Sequence, residues 1–161
     1  MELIGRLLKM ATNSLNQEFN RFAQQYDLTG TQMSVIDFMA NCGSQECNQQ
    51  MIEQEFNIKR STTTVIIQRL VKKGLIEQRQ SATDRRQKVI TLTARGRELA
   101  PKVREYILGS EEQLIANFTA EDLHQFKEIL KFMIGEGEEN SASGCCYRYC
   151  DRVNVFLRSD R

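Results

Sequence analysis

Residues 58–76 read IKRSTTTVIIQRLVKKGLI, and residues 84–96 read DRRQKVITLTARG. The first stretch predicts an amphipathic helix that begins near Arg60 and ends at Gly74, because cations fill its last turn and glycine commonly follows a helix end. The second predicts a β-strand that leads into a helix capped by Thr93. The change of hydrophobic period between the two stretches decides the fold.

Further helices are predicted before this region. Apolar residues at helical spacing indicate one long helix over residues 3–26 and a second that begins after Thr29. A short third helix follows Asn48, which can act as its N-cap. Two short helices joined by a tight turn and followed by strands predict a winged helix-turn-helix in a mainly α chain.

The hairpin and the helices after it complete the predicted order. Strand-like segments over residues 75–79 and 88–93 are joined by a polar tip, which predicts the wing. One helix follows Thr93, and a last one opens at Thr119 with a variant of the capping box. The predicted reading head therefore extends from residue 48 to residue 93.

Charge is concentrated in the middle of the chain. The net charge of the whole chain is +1, yet residues 59–104 hold 13 Lys and Arg against 3 Asp and Glu. The flanking residues 1–58 and 105–161 are both acidic. A basic block between acidic flanks is typical of a phosphate-binding surface, although a solvated charged face has the same composition.

The helix over residues 60–73 is predicted to have two faces. One face carries Thr63, Ile66, Ile67, Leu70 and Val71 at core spacing. The other carries short hydroxyls, an amide and a valine, which can meet base edges and thymine methyl groups in the major groove. The candidate base-reading residues are Ser61, Thr62, Thr64, Val65 and Gln68, and the candidate backbone contacts are Lys59, Arg60 and Lys72.

The wing tip supplies a second set of candidates, Asp84, Arg85 and Arg86. Aspartate is common in turns, so the tip can be read as a simple connection. An arginine on a protruding wing also fits the narrow minor groove, where the negative potential is strongest. Asp84 would then hold that arginine or its neighbour by a charge-assisted bond.

Both stretches resemble the MarR family of bacterial transcriptional regulators. Residues 58–76 are similar to its recognition helix, and residues 84–96 resemble its Asp-x-Arg wing running into Leu-Thr-x-x-Gly. The resemblance implies that Asp84 and Arg86 form the wing pair, with Arg86 in the minor groove. It also implies a double-stranded DNA operator as partner and no cofactor.

The resemblance further implies a domain plan. Residues 1–134 would form one unit, with the winged helix-turn-helix over 29–93 and dimerisation helices over 1–28 and 94–134. Residues 135–161 depart from the family pattern and are expected to be a disordered tail. The homodimer would bind a pseudo-palindromic operator as a repressor.

Three alternatives for regulation and function stay open. By resemblance, a small amphipathic or aromatic effector would bind between the dimer helices and the reading heads. Alternatively, oxidation at Cys42 or Cys47 would act as the switch, although Glu46 disfavours a thiolate there. The third alternative is a winged helix used only for protein–protein contact. The basic block over residues 59–104 and the Asp84/Arg86 wing argue against it.

Other chemistry finds no support in the sequence. His124 is the lone histidine and cannot supply a multi-histidine metal site, and no phosphate-binding glycine loop is present. We therefore expect no enzyme activity. Five cysteines, an odd number clustered mainly at Cys145, Cys146 and Cys150, do not fit a secreted disulfide scaffold. With no secretory signal or membrane-spanning run, a cytoplasmic location is expected.

Overall fold

The computed structural model describes residues 3–42, 47–81 and 87–135 of the 161-residue chain. Within those ranges the chain is mostly helical, with three short strands. The elements are α1 (Ile4–Gln24), α2 (Gly30–Asn41), β1 (Cys47–Asn48), α3 (Gln49–Glu55), α4 (Arg60–Lys72), β2 (Ile76–Gln80), β3 (Lys88–Leu92), α5 (Ala94–Asn117) and α6 (Ala120–Met133).

Four of the predicted helix starts are confirmed by side-chain caps. The Thr29 hydroxyl accepts a hydrogen bond from the backbone N–H of Gln32 at 3.3 Å, and the Gln32 side chain accepts one from the Thr29 N–H at 3.1 Å. The Asn48 carboxamide oxygen accepts from the Met51 N–H at 3.0 Å. Each cap satisfies backbone donors that the first helical turn leaves open. The same arrangement starts the last two helices at Thr93 and Thr119.

The sheet contains a strand that the sequence did not predict. The strand order is β1-β3-β2, and both pairings are antiparallel. Cys47 pairs with Ile90, whereas Ile76 pairs with Leu92 across the hairpin. A two-residue strand has no detectable alternation in sequence, so β1 is recognised only by its partner in space. The strand anchors the start of α3 to the wing.

The recognition helix ends as predicted at Gly74. Gly74 has a φ of +67°, and the Leu75 N–H donates to the Leu70 carbonyl at 3.1 Å. The Gly74 N–H donates to Val71 at 2.9 Å, which completes a Schellman motif. Leu70 and Leu75 are both buried, so this turn directs the chain into β2 at a fixed angle.

The chain divides into two compact units, residues 1–103 and residues 104–161. The described part of the first unit contains the helix-turn-helix, the sheet and an apolar core. Its most completely buried side chains are Met33, Ile36, Ile52, Ile67, Leu70, Ile76, Val35, Ile90, Val103 and Thr63. The predicted division at residues 134 and 135 stays a prediction, because residues 136–161 lie outside the described residues.

The second unit is described from Arg104 to Gly135, covering the end of α5 and all of α6. No residue of α6 is buried, although the helix carries an apolar stripe. The stripe consists of Phe126, Ile129, Phe132 and Met133, and Phe132 is 79% exposed. Among the described helices of the whole chain, none is both long and apolar enough to cross a membrane.

Candidate nucleic-acid interface

Helix α4 presents an open polar face. Ser61, Thr62, Val65 and Gln68 are all exposed, and their spacing places them on one side of the helix. Val65, the apolar member of the group, is 43% exposed. Four of the five predicted base-reading residues thus share one accessible surface, while Thr64 lies at its edge and is only partly exposed.

The opposite face of α4 packs into the core with one correction. Val71 was predicted to be buried, but it is 40% exposed. It lies one helical step of 100° beyond Leu70, at the margin of the buried arc, where solvent still reaches it. The Thr63 hydroxyl is satisfied in the core, because it donates to the Lys59 carbonyl at 3.2 Å. The residues that do pack inward are Thr63, Ile66, Ile67 and Leu70.

Arg69 belongs to the open face and was missed by sequence reasoning. It is exposed and lies four residues after Val65 and seven after Thr62. That spacing alone places it on the same side of the helix. An arginine on this face can contact either a guanine edge or a phosphate, so it extends the candidate surface toward the end of α4.

The turn between α3 and α4 fixes how the open face is presented. Asn57 adopts a φ of +46°, a conformation that asparagine tolerates better than most residues. The following Ile58 N–H donates to the Glu53 carbonyl at 3.1 Å and closes the end of α3. The Phe56 ring meets the Phe38 ring edge-on at 5.9 Å between centroids, which holds the turn against α2.

The predicted backbone-contacting residues lie at the two ends of α4. Lys59, Arg60 and Lys72 are exposed. Lys59 occupies the N-cap position without a side-chain capping bond, and the first turn contains no acidic residue. No carboxylate within this first turn therefore neutralises the positive end of the helix dipole, which suits a DNA phosphate.

The wing is described only up to the base of its tip. Gln80 pairs with Lys88, and the Ser81 N–H donates to the Gln87 carbonyl at 2.9 Å, so the strands stay paired to that point. The predicted tip residues Asp84, Arg85 and Arg86 lie outside the described residues. Their roles therefore stay predictions.

Comparison with known proteins decides the family. The MarR family model matches residues 26–87. The crystal structure of the transcription regulator MarR from Oenococcus oeni PSU-1 is 39% identical in sequence, with a TM-score of 0.75, and the match covers 82% of this chain and 98% of that one. The chain belongs to the MarR family.

Two more distant relatives agree with that membership. The homoprotocatechuate degradative operon repressor of Escherichia coli is 25% identical over 130 residues, which are 81% of this chain and 86% of the repressor. The Staphylococcus aureus MepR–DNA complex has the same fold, with a TM-score of 0.78 at 22% identity over 83% of this chain and 98% of that one.

Family membership confirms the predicted resemblance, the fold class and the general function. This MarR-family chain is a DNA-binding transcriptional regulator with a winged helix-turn-helix, and not an enzyme. The reading as a protein-interaction module without a DNA site is therefore wrong. The assignment of individual residues to base, phosphate and wing contacts stays a prediction.

The two cysteines of this MarR-family chain before α3 are close neighbours. Cys42 is the C-cap of α2 and is partly exposed, whereas Cys47 is buried in β1. A hydrogen bond with Cys47 lowers the pKa of the Cys42 thiol below its ordinary value of 9.0, and this outweighs burial and the charge of Glu55, which raise it. Charged neighbours alone were considered from the sequence, so this hydrogen bond between the two free thiols was missed.

A groove of about 710 Å³ lies within the first unit, among the ends of α1 and α4 and the start of α5. Lys73 bonds there to both the backbone carbonyl and the carboxylate of Asp27, which joins α4 to the end of α1. Lys102 lies 5.9 Å from the centre of the Tyr26 ring. The remaining lining combines charged and apolar groups: Gln24, Gln25, Lys72, Leu75, Arg95, Glu98 and Leu99.

Proposed function

We propose that this chain is a homodimeric transcriptional repressor that binds a pseudo-palindromic operator and is released by a small effector. The observation that carries the proposal is the open face of α4, on which Ser61, Thr62, Val65 and Gln68 lie together. Hydroxyl, amide and methyl groups on one exposed helix face suit base reading in the major groove. Operator binding in a bacterium also implies a cytoplasmic location.

The dimer is supported by large apolar side chains that are exposed in the described part of the chain. The exposed apolar residues at the start of α1 are its N-cap Leu3 and, within the helix, Ile4, Leu7, Met10 and Leu15, of which Ile4 is 73% exposed. On α6 the exposed stripe contains two phenylalanines. Large exposed apolar patches mark interaction sites. A second copy of the chain is the occupant we propose, since a two-fold dimer would supply the second reading head for the other half-site.

The groove beside Lys73 is our candidate for the effector site. Tyr26, Leu75 and Leu99 offer apolar contact, while lysine and arginine side chains offer polar contact, which suits a small amphipathic or aromatic molecule. The groove adjoins the end of α4. A ligand that displaced the Asp27–Lys73 contact would therefore loosen the attachment of α4 to the end of α1. The resulting loss of DNA affinity can be no larger than the ligand's preference for this displaced state over the DNA-binding state.

Binding to the chain's own upstream DNA tests the proposal. Fluorescence anisotropy with that duplex and with a shuffled duplex of equal composition should show a higher affinity for the natural sequence. Affinity should also fall steeply with salt, as phosphate contacts require. Arg86→Ala should weaken binding, because the wing arginine is proposed to enter the minor groove. Equal affinity for both duplexes would contradict sequence-specific binding, and an unchanged Arg86→Ala would contradict the wing assignment.

Oxidation is a second candidate for the switch, favoured by the hydrogen bond between the Cys42 and Cys47 thiols. In this proposal the Cys42 thiolate attacks a hydroperoxide, forming a sulfenic acid and releasing an alcohol or water. The Cys47 thiol then displaces water to form a disulfide, so that the two thiols supply the two electrons that reduce the peroxide. Since Cys47 lies in β1, the new bond would pull on the strand that anchors α3 to the wing.

Replacement of both cysteines with serine separates the two switches. If oxidation is the switch, peroxide should release the wild-type chain from DNA but leave Cys42→Ser/Cys47→Ser bound. Release of both proteins by peroxide would contradict the thiol mechanism at these residues. If a small effector released both the wild type and the double variant from DNA and peroxide released neither, the effector site beside Lys73 would be supported instead.

A further inference from the structure

Gln49, the first residue of α3, is bonded across the helix-turn-helix to the start of α4. Its side-chain nitrogen lies 2.9 Å from the Thr64 hydroxyl, 2.9 Å from the Glu53 carboxylate and 3.3 Å from the Arg60 carbonyl. An ionised carboxylate and a backbone carbonyl only accept hydrogen bonds, so the amide NH₂ must face this cluster. The orientation of the Gln49 amide is thereby fixed by chemistry.

The Thr64 hydroxyl is occupied by the same cluster. It donates its one proton to the Arg60 carbonyl at 2.9 Å and accepts from Gln49. A hydroxyl has a single hydrogen to donate. Thr64 therefore has no donor left for a base, and what remains available is its γ-methyl group and one oxygen lone pair.

This changes what Thr64 can read. Adenine N7, guanine N7 and O6, and thymine O4 are acceptors in the major groove, so each would need a donor from the protein. Thymine alone also presents a methyl group, which favours apolar contact. A threonine with its donor already used is suited to the thymine methyl and unsuited to the acceptors. Its remaining lone pair could accept only from the adenine or cytosine amino group, a contact that Thr64→Val would abolish.

We propose that Gln49 is a positioning residue that sets the base preference of Thr64. By donating to the Thr64 oxygen, Gln49 fixes the rotamer in which the hydroxyl bonds to the Arg60 carbonyl, so that the threonine presents its methyl group and selects thymine. Glu53, one turn further along α3, accepts a hydrogen bond from the Gln49 side chain and so keeps it in place. This inference rests on the proposed function, because it takes the open face of α4 as the base-reading surface.

Selection from a randomised duplex DNA library tests the inference and does not require the operator sequence. The full-length wild type should enrich a pseudo-palindromic motif with a thymine at one equivalent position of each half-site. Thr64→Ser keeps the hydroxyl and removes the methyl, so its thymine preference should fall about fourfold, the loss of one buried methyl-sized contact. Thr64→Val keeps a methyl and removes the hydroxyl, and should retain the preference.

Gln49 is tested through its dependence on Thr64. Gln49→Ala removes the donor that fixes the Thr64 rotamer, so the hydroxyl can turn away from the Arg60 carbonyl and donate to a base. Thymine preference should then fall, and purines should be admitted at that position. In a Thr64→Val background, Gln49→Ala should have no further effect on this preference, since no hydroxyl is left to hold. Such non-additivity is the signature of two residues that act as a unit. Gln54→Ala, an exposed glutamine on the same helix, is the matched control and should leave the motif unchanged.

The outcomes separate this inference from the proposed function. If the wild type enriches no motif, the proposed function fails and this inference fails with it. If the wild type enriches a motif but Thr64→Ser or Gln49→Ala leaves every position unchanged, only the role of the Gln49–Thr64 pair is contradicted. The same holds if Gln49→Ala acts equally in both backgrounds. Unfolding midpoints by circular dichroism should be recorded for each variant, and the Thr64→Val and Thr64→Ser pair keeps the test valid should Gln49→Ala fold poorly.

Discussion

The Gly96 α-carbon lies directly against the Leu75 carbonyl oxygen. A β-carbon at Gly96 would come within 2.1 Å of that oxygen, closer than any real contact. The same oxygen accepts a hydrogen bond from the Thr93 N–H at 3.0 Å. The first turn of α5 is therefore packed against the backbone that leads from α4 into the wing, and only glycine fits.

Substitution of Gly96 should be costly for a backbone reason. We expect Gly96→Ala to lower the free energy of unfolding by about 1–3 kcal/mol, because α5 must move away from the Leu75 carbonyl. Urea denaturation followed by circular dichroism measures the change. Gly109→Ala, also in α5, is the control: a β-carbon there meets nothing within 4 Å, so this change should stabilise the helix by up to about 1 kcal/mol. Equal effects at both positions would contradict the close-packing account.

Contacts with phosphate should show in the salt dependence of binding. Arg60→Ala or Lys72→Ala should weaken binding to specific and unrelated duplexes by similar factors. Each should also reduce the slope of log affinity against log salt by about 0.9, the value for one lost phosphate contact. Lys127→Ala, an exposed lysine on α6, should leave the slope unchanged. A slope that stays at the wild-type value in Arg60→Ala and Lys72→Ala would remove both residues from the DNA surface.

Assembly should depend on the apolar stripe of α6. Phe132→Asp places a charge where a second copy is proposed to pack, so the variant should dissociate. Light scattering after size-exclusion chromatography should give roughly twice 18.6 kDa for the wild type and 18.6 kDa for the variant. Lys127→Asp changes charge on the same helix and should remain dimeric. A monomeric wild type would contradict the proposed dimer.

The contact between Asp27 and Lys73 predicts a pH dependence. Hydrogen bonding to the Lys73 ammonium, followed by its charge, lowers the pKa of Asp27 below its ordinary value of 3.8. A depressed pKa in the folded state gives stability that is present above pH 3.8 and is lost as pH falls through the lower folded value. Asp27→Asn should therefore have a lower Tm than the wild type at pH 7, and the two curves should converge in strong acid. The effect should be small, because the pair is exposed.

Local signals explain how much of the fold could be predicted. Thr29, Asn48, Thr93 and Thr119 act as caps through bonds to residues three positions away, so a short stretch of sequence contains both partners. Gly74 is similar, because a helix end needs a left-handed residue whatever surrounds it. Such features are encoded locally, and they were enough to locate the winged helix-turn-helix.

The features that sequence reasoning missed depend on contacts across the fold. Cys47 becomes a strand residue only through its pairing with Ile90, 43 positions further along. The Thr64 hydroxyl looked available for a base, but it already donates to the Arg60 carbonyl and accepts from Gln49, 15 residues earlier. Val71 fits the helical spacing of the core residues, yet it is 40% exposed. Spacing gives the direction in which a side chain leaves the helix, but it does not show how far the element packed against the helix extends.

Footprinting on the chain's own upstream DNA tests the central claim most directly. Hydroxyl-radical cleavage with the wild-type protein should reveal two protected half-sites related by approximate two-fold symmetry, with centres one helical turn, roughly 10–10.5 base pairs, apart or a multiple of it. Gln68→Ala, which alters the open face of α4, should weaken this protection while sequence-independent binding persists. Uniform protection along the duplex, or a pattern identical in Gln68→Ala, would contradict base reading by this helix face.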